Sequence, residues 1–595
     1  MSDRLKISGL LRGFLEFAPK VPGAIWKIKS YLALKDDSHH TLGWQLEQNA
    51  EKYPDSPALF YEDRVWSHRE LNEITNRYGR FFLASGITKG DIVAVYVENK
   101  PELIFLVGAL AKIGAVAALV NPKLSGASLK HSFQVEKYRS LVVDAELAEP
   151  FAEIASGLEL PSGRSFWLGA GAMPAAFRAF DKLEALDAAN LPERERVTIK
   201  DPYALVFTSG TTGLPKASVQ SNRRWFGAMT WFGKIVLRLG PADRVYIPLP
   251  FCHTNALQVG WAPTAGAGAA IVMRKKFSAS KFWDDISRYN VTHFVYIGEL
   301  CRYLVKQVDH PLQKKHSVRA IFGNGLRPEI WDEFKRRFAI PRVYEFYGAA
   351  EAPLLFTNVL NLDKTVGICM TPYAIVAYDF DKQEIERGAE GFCRSVGVGE
   401  SGILLARIDP QTPFSGYTNK AETEKKLLRD VFRKGDLFFN SGDLVKKLGF
   451  GHVAFADRLG DTFRWKGENV ATTEVEKVAN AYAGVKESCC YGVAVPGHDG
   501  KVGMIAIVPQ STSFDAEAFF AHLASELPEY AVPRFLRSCE VFETTATHKI
   551  KKTTLQQQGL SFASHAEPLH WYTPRTTKVD VHTAAPSEAD LKRLS

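Results

Sequence analysis

The residues best suited to chemistry lie in the run FTSGTTGLPKA, Phe207 to Ala217. Gly210 and Gly213 let backbone N–H groups approach an anion closely. Thr208, Ser209, Thr211 and Thr212 add hydroxyl donors, and Lys216 adds a positive charge. That composition suits a polyphosphate. The run does not read GxxxxGK[ST], so it is a phosphate cradle of a different design from a Walker loop. The apolar ALVF before it predicts that the loop leaves a strand.

Further segments follow in order: PLPFCHTNA (248–256), FGNGLR (322–327), EFYGAAEAP (345–353), NSGDLV (440–445), DRLGDTFRWKGENVATTEVE (457–476) and TTATHKIKKTTLQ (544–556). With the glycine-threonine loop they resemble the ordered motifs of the adenylate-forming superfamily, which includes acyl-CoA synthetases, luciferases and nonribosomal adenylation domains. RKKFSASKFWDDI, YIGELCRYL and GDTFRWKGENVATTEVE are similar to the fatty acid transport protein and very-long-chain acyl-CoA synthetase branch. The resemblance spans about residues 40 to 560.

The resemblance implies an ATP-dependent ligase. A fatty acid carboxylate attacks the α-phosphate of ATP and expels pyrophosphate, then the thiol of CoA attacks the acyl-adenylate. Positioning and cationic stabilisation do most of that work. Carried over residue by residue, it implies that Glu351 holds Mg²⁺ and that Asp443 accepts the ribose hydroxyls, with Arg458 reaching the same sugar. It further implies that Tyr347, followed by Gly348, stacks on adenine, that Gly323 and Gly325 let the backbone pass the base, and that His253 borders the acyl pocket. Lys549 is the residue expected to neutralise the carboxylate and the transferring phosphate, with Lys551 and Lys552 as alternatives in register. Gly460, two residues past the arginine, is expected as the pivot of a hinge over 458–461.

One position departs from the pattern. Ala350 stands where the family has a threonine whose hydroxyl contacts the α-phosphate. Losing such a bond costs on the order of 1–3 kcal/mol if its partner stays unsatisfied, which weakens or re-routes phosphate binding without removing Glu351. A second reading is therefore kept: a membrane-associated fatty acid uptake or binding protein with weak or no ligase activity. An amino-acid adenylation domain is disfavoured, because PFCHTNA offers no acidic residue for a substrate ammonium. Trp225, Trp231, Phe232 and Trp261 fall in segments that border the pocket in the family, although aromatics of this kind more commonly pack a core. Acyl chain length is not readable from these residues.

These groups need a scaffold. From about residue 40 to 340, helical patterns alternate with β-rich runs such as IVAVYV (92–97), SLVVD (140–144), RVYIPLP (244–250) and THFVYIG (292–298), which predicts an α/β fold with mostly parallel sheets. The Gly/Ala/Pro-rich stretch 157–195 reads as loop, and closer-spaced strands after about 370 read as a β-rich subdomain. The expected organisation is an arm over 1–36, a multi-subdomain adenylation body over 37–457, the hinge, a small mobile α+β lid over 462–563 and a polar tail over 564–595.

Composition bounds the rest. The chain has 595 residues, 46% hydrophobic and 24% charged, which excludes a disordered or disulfide-stapled protein. A net charge of +8 allows anionic ligands without calling for nucleic acid. The seven cysteines form no CxxC pair and read as buried thiols of a reducing compartment, so a cytoplasmic location at the inner face of a membrane is expected. Leu103–Val120 is apolar enough to need a membrane check, but Lys112 and its Gly/Ala content favour a buried helix. Residues 1–36 hold seven Lys or Arg against three acids, with Ile7, Leu10, Leu11, Phe14 and Leu15 at helical spacing, a pattern suited to a membrane interface or to packing on the body. Oligomeric state stays open, a homodimer included.

Overall fold

Runs of buried β-branched residues separated by helices require parallel strands with both faces covered. The computed structural model describes residues 5, 7–209, 215–348, 354–379, 384–409, 423–465, 468–495, 501–511, 513–544, 550–561, 567–573, 578–587 and 591. The chain divides into two compact units, one holding Ser8–Phe346 and Asn358–Asp363, the other Tyr347–Thr357 and the chain from Lys364 onward.

The first unit contains two such sheets. One runs Arg178–Ala179, Ser165–Leu168, Ser140–Asp144, Ile92–Tyr96, Val116–Leu119, Pro202–Ser209, Pro215–Ser221. Its neighbours are parallel except for the final antiparallel pair. Ser165–Leu168 lies inside the stretch expected to be loop; all four residues are buried, so SFWL is a short core strand hidden by its Gly/Pro-rich flanks. Within this unit the other sheet runs from Val343–Gly348, the strand on which the chain leaves the unit, through Ala320–Asn324, His293–Ile297, Arg244–Ile247, Ala270–Met273, Pro57–Tyr61 and Arg64–Ser67. Only its last pair is antiparallel.

The apolar stretch from Leu103 is a buried helix, Pro101–Ile113, ended by Gly114 at φ +75° and followed by the strand Val116–Leu119. Pro at the first turn and a left-handed glycine at the end are strong start and stop signals. Among the described residues no helix is long and apolar enough to cross a membrane. Lys112 near the end of this helix is fully buried. Its Nζ donates to the side-chain oxygens of Asn72 and, at 2.6 Å, Asn76. Glu47 lies 3.8 Å away.

The second unit begins with an antiparallel sheet ordered Tyr373–Val376, Ser401–Arg407, Leu437–Gly449, Leu427–Arg429, with His452–Arg458 also paired to Leu437–Gly449. It ends in an α+β domain whose sheet runs Val485–Val493, Val502–Pro509, Phe535–Ser538, Leu569–Thr573, Lys578–His582, with the helices Thr472–Ala481 and Ala516–Glu526. Phe519, Phe520, Leu523, Ile505 and Phe535 form the fully buried centre of its core. The last two strands lie in the segment expected to be a polar tail. Leu569 and Tyr572 are buried in the domain core, and this sparse apolar pattern is what the polar composition concealed. All seven cysteines are free thiols, six of them buried.

Lys112 supplies a test of this core. Burial is the main influence and lowers its pKa to about 7, against the opposing pull of Glu47. A neutral amine has two N–H groups, which match the two asparagine acceptors. The unfolded chain keeps the proton to near pH 10.5, so the stability contributed here rises with pH from about 7 to 10.5, by at most about 1.4 kcal/mol per unit. Melting curves of the wild type and Lys112→Met should therefore diverge in favour of the wild type across that window. A constant difference would show that Lys112 stays charged in the core.

Candidate active site

The expected site residues that the structure describes are each placed by a local structural cause. The strands on either side of the phosphate-loop run pair antiparallel, Pro202–Ser209 with Pro215–Ser221, with Thr208 opposite Lys216 and Ser209 opposite Pro215. Only the backbone of Thr208, Ser209 and Lys216 is described, while Gly210, Thr211, Thr212, Gly213, Ala350, Glu351 and Lys549 lie outside the described residues.

The segment expected to border the acyl group is built from wide helical turns. Met229–Leu237 and Asn255–Trp261 are π-helical, a rare geometry that recurs at functional sites. His253 sits on the turn just before the second, with its N–H on the Pro250 carbonyl at 3.1 Å. Trp225 and Trp261 are fully buried and meet edge to face at 5.1 Å, and Phe232 meets Phe346 at 5.3 Å. These rings therefore pack the wall rather than stand open, which is their commoner role.

The Gly323–Gly325 loop, expected beside adenine, is shaped by contacts that a larger residue would block. A Cβ on Gly323 would lie 2.1 Å from the Tyr296 carbonyl oxygen, and one on Gly298 1.6 Å from that of Gly325. Gly325 also has φ +83°. Asn324, between the two loop glycines, accepts a 2.8 Å bond from Asn255, two residues past His253. This ties the turn at His253 to the Gly323–Gly325 loop.

Glu345 holds the same loop and was not singled out by sequence. It is buried, and its Oε1 accepts the backbone N–H groups of Gly325 and, at 3.2 Å, Leu326, while its Oε2 bonds the Tyr296 hydroxyl. Burial pushes its carboxyl up to about 8. It was legible only as the one acid in the apolar stretch VYEFYG.

Within the second unit Tyr347, Asp443 and Arg458 come together. The strands Leu437–Gly449 and His452–Arg458 set Asp443 directly opposite Arg458, with the Arg458 Nε 3.7 Å from Oδ1. The Tyr347 hydroxyl donates to Asp443 Oδ2 at 2.5 Å. Burial and the Asp443 charge both raise the Tyr347 pKa, so the phenol stays protonated. A kink at Asn440–Asp443 aims the carboxylate: Gly442 has φ +74°, its N–H bonds Asn440 Oδ1 at 2.9 Å, and Ser441 Oγ takes the Asp443 N–H at 3.1 Å. Gly348 follows, where a Cβ would lie 3.0 Å from the Leu354 carbonyl oxygen. Arg458 is 62% exposed, so a polar ligand can reach it.

The expected hinge is bordered by a polar knot. Asp457, half of a DR pair, accepts the Thr472 N–H at 3.0 Å and the Thr462 hydroxyl at 3.1 Å. A Cβ on Gly460 would meet nothing within 4 Å, so this conformation does not itself require glycine there. Of the alternatives to Lys549, Lys551 pairs with Glu543, and Lys552 is drawn inward to Glu476 at 2.9 Å and the Thr472 hydroxyl at 2.8 Å. Both are thus committed within this domain. Nothing in the sequence links Asp457, Glu476 and Lys552; the fold places Lys552 on Glu476 and the Thr472 hydroxyl, and Asp457 on the Thr472 N–H.

A glycine- and threonine-rich run between two paired strands, a glycine-lined loop and an acid–arginine–tyrosine trio on a two-unit α/β chain fit an adenylating enzyme. The chain belongs to the AMP-binding enzyme family: that model matches residues 46–393, and the model of the AMP-binding enzyme C-terminal domain matches 474–549. It is 39% identical to the medium/long-chain-fatty-acid–CoA ligase FadD6 of Mycobacterium tuberculosis over 94% of this chain and 93% of that protein. It is 38% identical to the long-chain fatty acid transport protein 2 of Rattus norvegicus over 87% of this chain and 85% of that one. Its fold is that of the anthranilate CoA ligase AuaEII, solved with anthranoyl-AMP, with TM-score 0.73 at 20% identity over 87% of this chain and 96% of that one.

The buried carboxyl gives a direct test of the loop. Glu345→Ala should raise the Kd for ATP about tenfold by freeing two backbone donors, and Glu345→Gln, which keeps an acceptor, should stay within about threefold of wild type. Equal ATP affinity in all three proteins by titration calorimetry would mean that the loop holds its shape unaided.

Proposed function

We propose that this chain is an ATP-dependent ligase that joins long-chain or very-long-chain fatty acids to CoA through an acyl-adenylate, releasing AMP and pyrophosphate. The observation that carries the reading is similarity along nearly the whole of both chains to a medium/long-chain-fatty-acid–CoA ligase, with ATP-side and C-terminal family models both matched. Acid oxygen bonds to the α-phosphorus as pyrophosphate leaves. The CoA sulfur then bonds to the acyl carbon as AMP leaves.

In this reading Asp443 and Arg458 hold the ribose, Tyr347 and the Gly323–Gly325 loop hold adenine, and the 208–216 hairpin loop takes the phosphates. Among the described residues no three His, Cys, Asp or Glu side chains converge as a metal cage. A Mg²⁺ ion would rest on Glu351 and the nucleotide's own phosphate oxygens, a donor set that suits an ion taking few protein ligands. There it would supply charge neutralisation. Lys549 neutralises the meeting anions during adenylation, and Gly460 lets the C-terminal domain swing for the thiol step. We place the enzyme at the inner face of a membrane, where long acyl chains partition and ATP and CoA are at hand.

The uptake reading is compatible with the same chemistry, since an acid converted to its CoA ester cannot diffuse back. The Ala350 substitution is the observation that favours it as a separate role. A series of acids assayed for CoA ester formation separates the two. Long and very long acids should give ester, with Ala350→Thr raising adenylation; no ester with any acid would leave uptake alone.

Lys549→Ala should abolish ATP–pyrophosphate exchange while sparing ester formation from preformed acyl-adenylate, and Gly460→Pro should show the reverse imbalance. Equal loss of both half-reactions in either variant would remove that residue from its role.

A further inference from the structure

The N-terminal arm is seated on the first unit by its glycines and shows its apolar face to solvent. In the helix Ile7–Phe17 the one buried residue is Gly13. A Cβ there would lie 2.6 Å from the Leu360 carbonyl oxygen, and one on Gly9 would touch the Leu362 side chain at 3.9 Å. Gly9 and Gly13, one turn apart, are therefore the edge that meets the body. At 100° per residue, Leu11, Phe14 and Leu15 point the opposite way. They are 59%, 60% and 70% exposed.

The next helix buries no residue and also leaves large apolar side chains in solvent. Val21–Leu32 is fixed by the Lys27 ammonium on the Lys234 carbonyl at 2.8 Å and by Tyr31 stacked near Phe226. Trp26 and Leu32 remain 69% and 70% exposed. Packing these side chains on the body would remove apolar area from water, and the arm instead buries its small residues. An amphipathic helix turned this way needs an apolar cover from outside.

Charge identifies the cover. Residues 1–36 carry seven Lys or Arg against three acids, and Arg12 and Lys29 are exposed on the two helices. A second copy of the arm would bring like charge to like charge, whereas an anionic bilayer offers both an apolar boundary and phosphates. Helices of 11 and 12 residues are too short to span it and suit lying in its plane. We propose that residues 7–32 are an interfacial anchor that docks on an anionic lipid surface, with Leu11, Phe14, Leu15, Trp26 and Leu32 in the acyl boundary and Arg12 and Lys29 at the phosphates. The proposal rests on the lipid-side reading of the enzyme for its setting, but vesicle binding and ester formation are read independently.

Full-length protein is sedimented with phosphatidylcholine vesicles with and without phosphatidylglycerol. The wild type should bind the anionic vesicles, and the Leu11→Ser, Phe14→Ser, Leu15→Ser triple variant should partition at least about tenfold less. Arg12→Gln with Lys29→Gln should lose the preference for phosphatidylglycerol. All variants should keep the wild-type melting temperature and the wild-type rate on a water-soluble medium-chain acid, which rules out misfolding. Undiminished vesicle binding by the triple variant overturns the proposal. So does a wild type that ignores vesicles and self-associates through the arm by sedimentation equilibrium. A wild type that binds vesicles but forms no acyl-CoA would leave the anchor standing and overturn the ligase reading.

Discussion

A carboxylate and a triphosphate repel, and everything in this protein answers to bringing them within bonding distance. In water that repulsion is about 1 kcal/mol for unit charges at 4 Å, and it grows as the site dries. The chain needs backbone donors for the phosphates, a fixed sugar and base, and a cation that arrives with the reaction. The first need fits the glycine- and threonine-rich run that joins Pro202–Ser209 to Pro215–Ser221. The second fits the groups proposed for ribose and adenine, which are held by short local contacts.

Val343–Gly348 begins in one unit and ends in the other: Glu345 bonds the Gly325 N–H within the first, and Tyr347, two residues on, bonds Asp443 within the second. Asp443 is held by pairing across two antiparallel strands and by a glycine kink that only a left-handed residue allows. The polar knot at Asp457, Thr462 and Thr472 borders the expected pivot, so motion there must break or carry these bonds.

The α/β class, the β-rich segment and the small C-terminal domain were legible because buried parallel strands leave continuous apolar runs and because the motifs keep their order. Three features were not. SFWL is too short, and its flanks too rich in Gly and Pro, to signal a strand at 165–168. The strand at 578–582 lies at the sheet edge and packs one face only, and the strand at 569–573 is hidden by the polar, proline-containing residues around its Leu, Trp and Tyr. Glu345 and Lys552 give no sequence signal of their partners: the fold buries Glu345 and holds the half-buried Lys552 on Glu476. The outward turn of the N-terminal stripe was equally out of reach, since helical spacing tells which residues share a face and not which way that face points. Gly9 and Gly13, which decide it, carry no hydrophobic signal.

The central claim is that the acid is activated by direct attack on the α-phosphate. Its sharpest test is isotopic: a long-chain acid labelled with oxygen-18 in both carboxyl oxygens is incubated with ATP, CoA and the enzyme, and the nucleotide product is weighed by mass spectrometry. The account predicts AMP carrying one labelled oxygen and unlabelled pyrophosphate. Unlabelled AMP, or ADP with labelled phosphate, would contradict it.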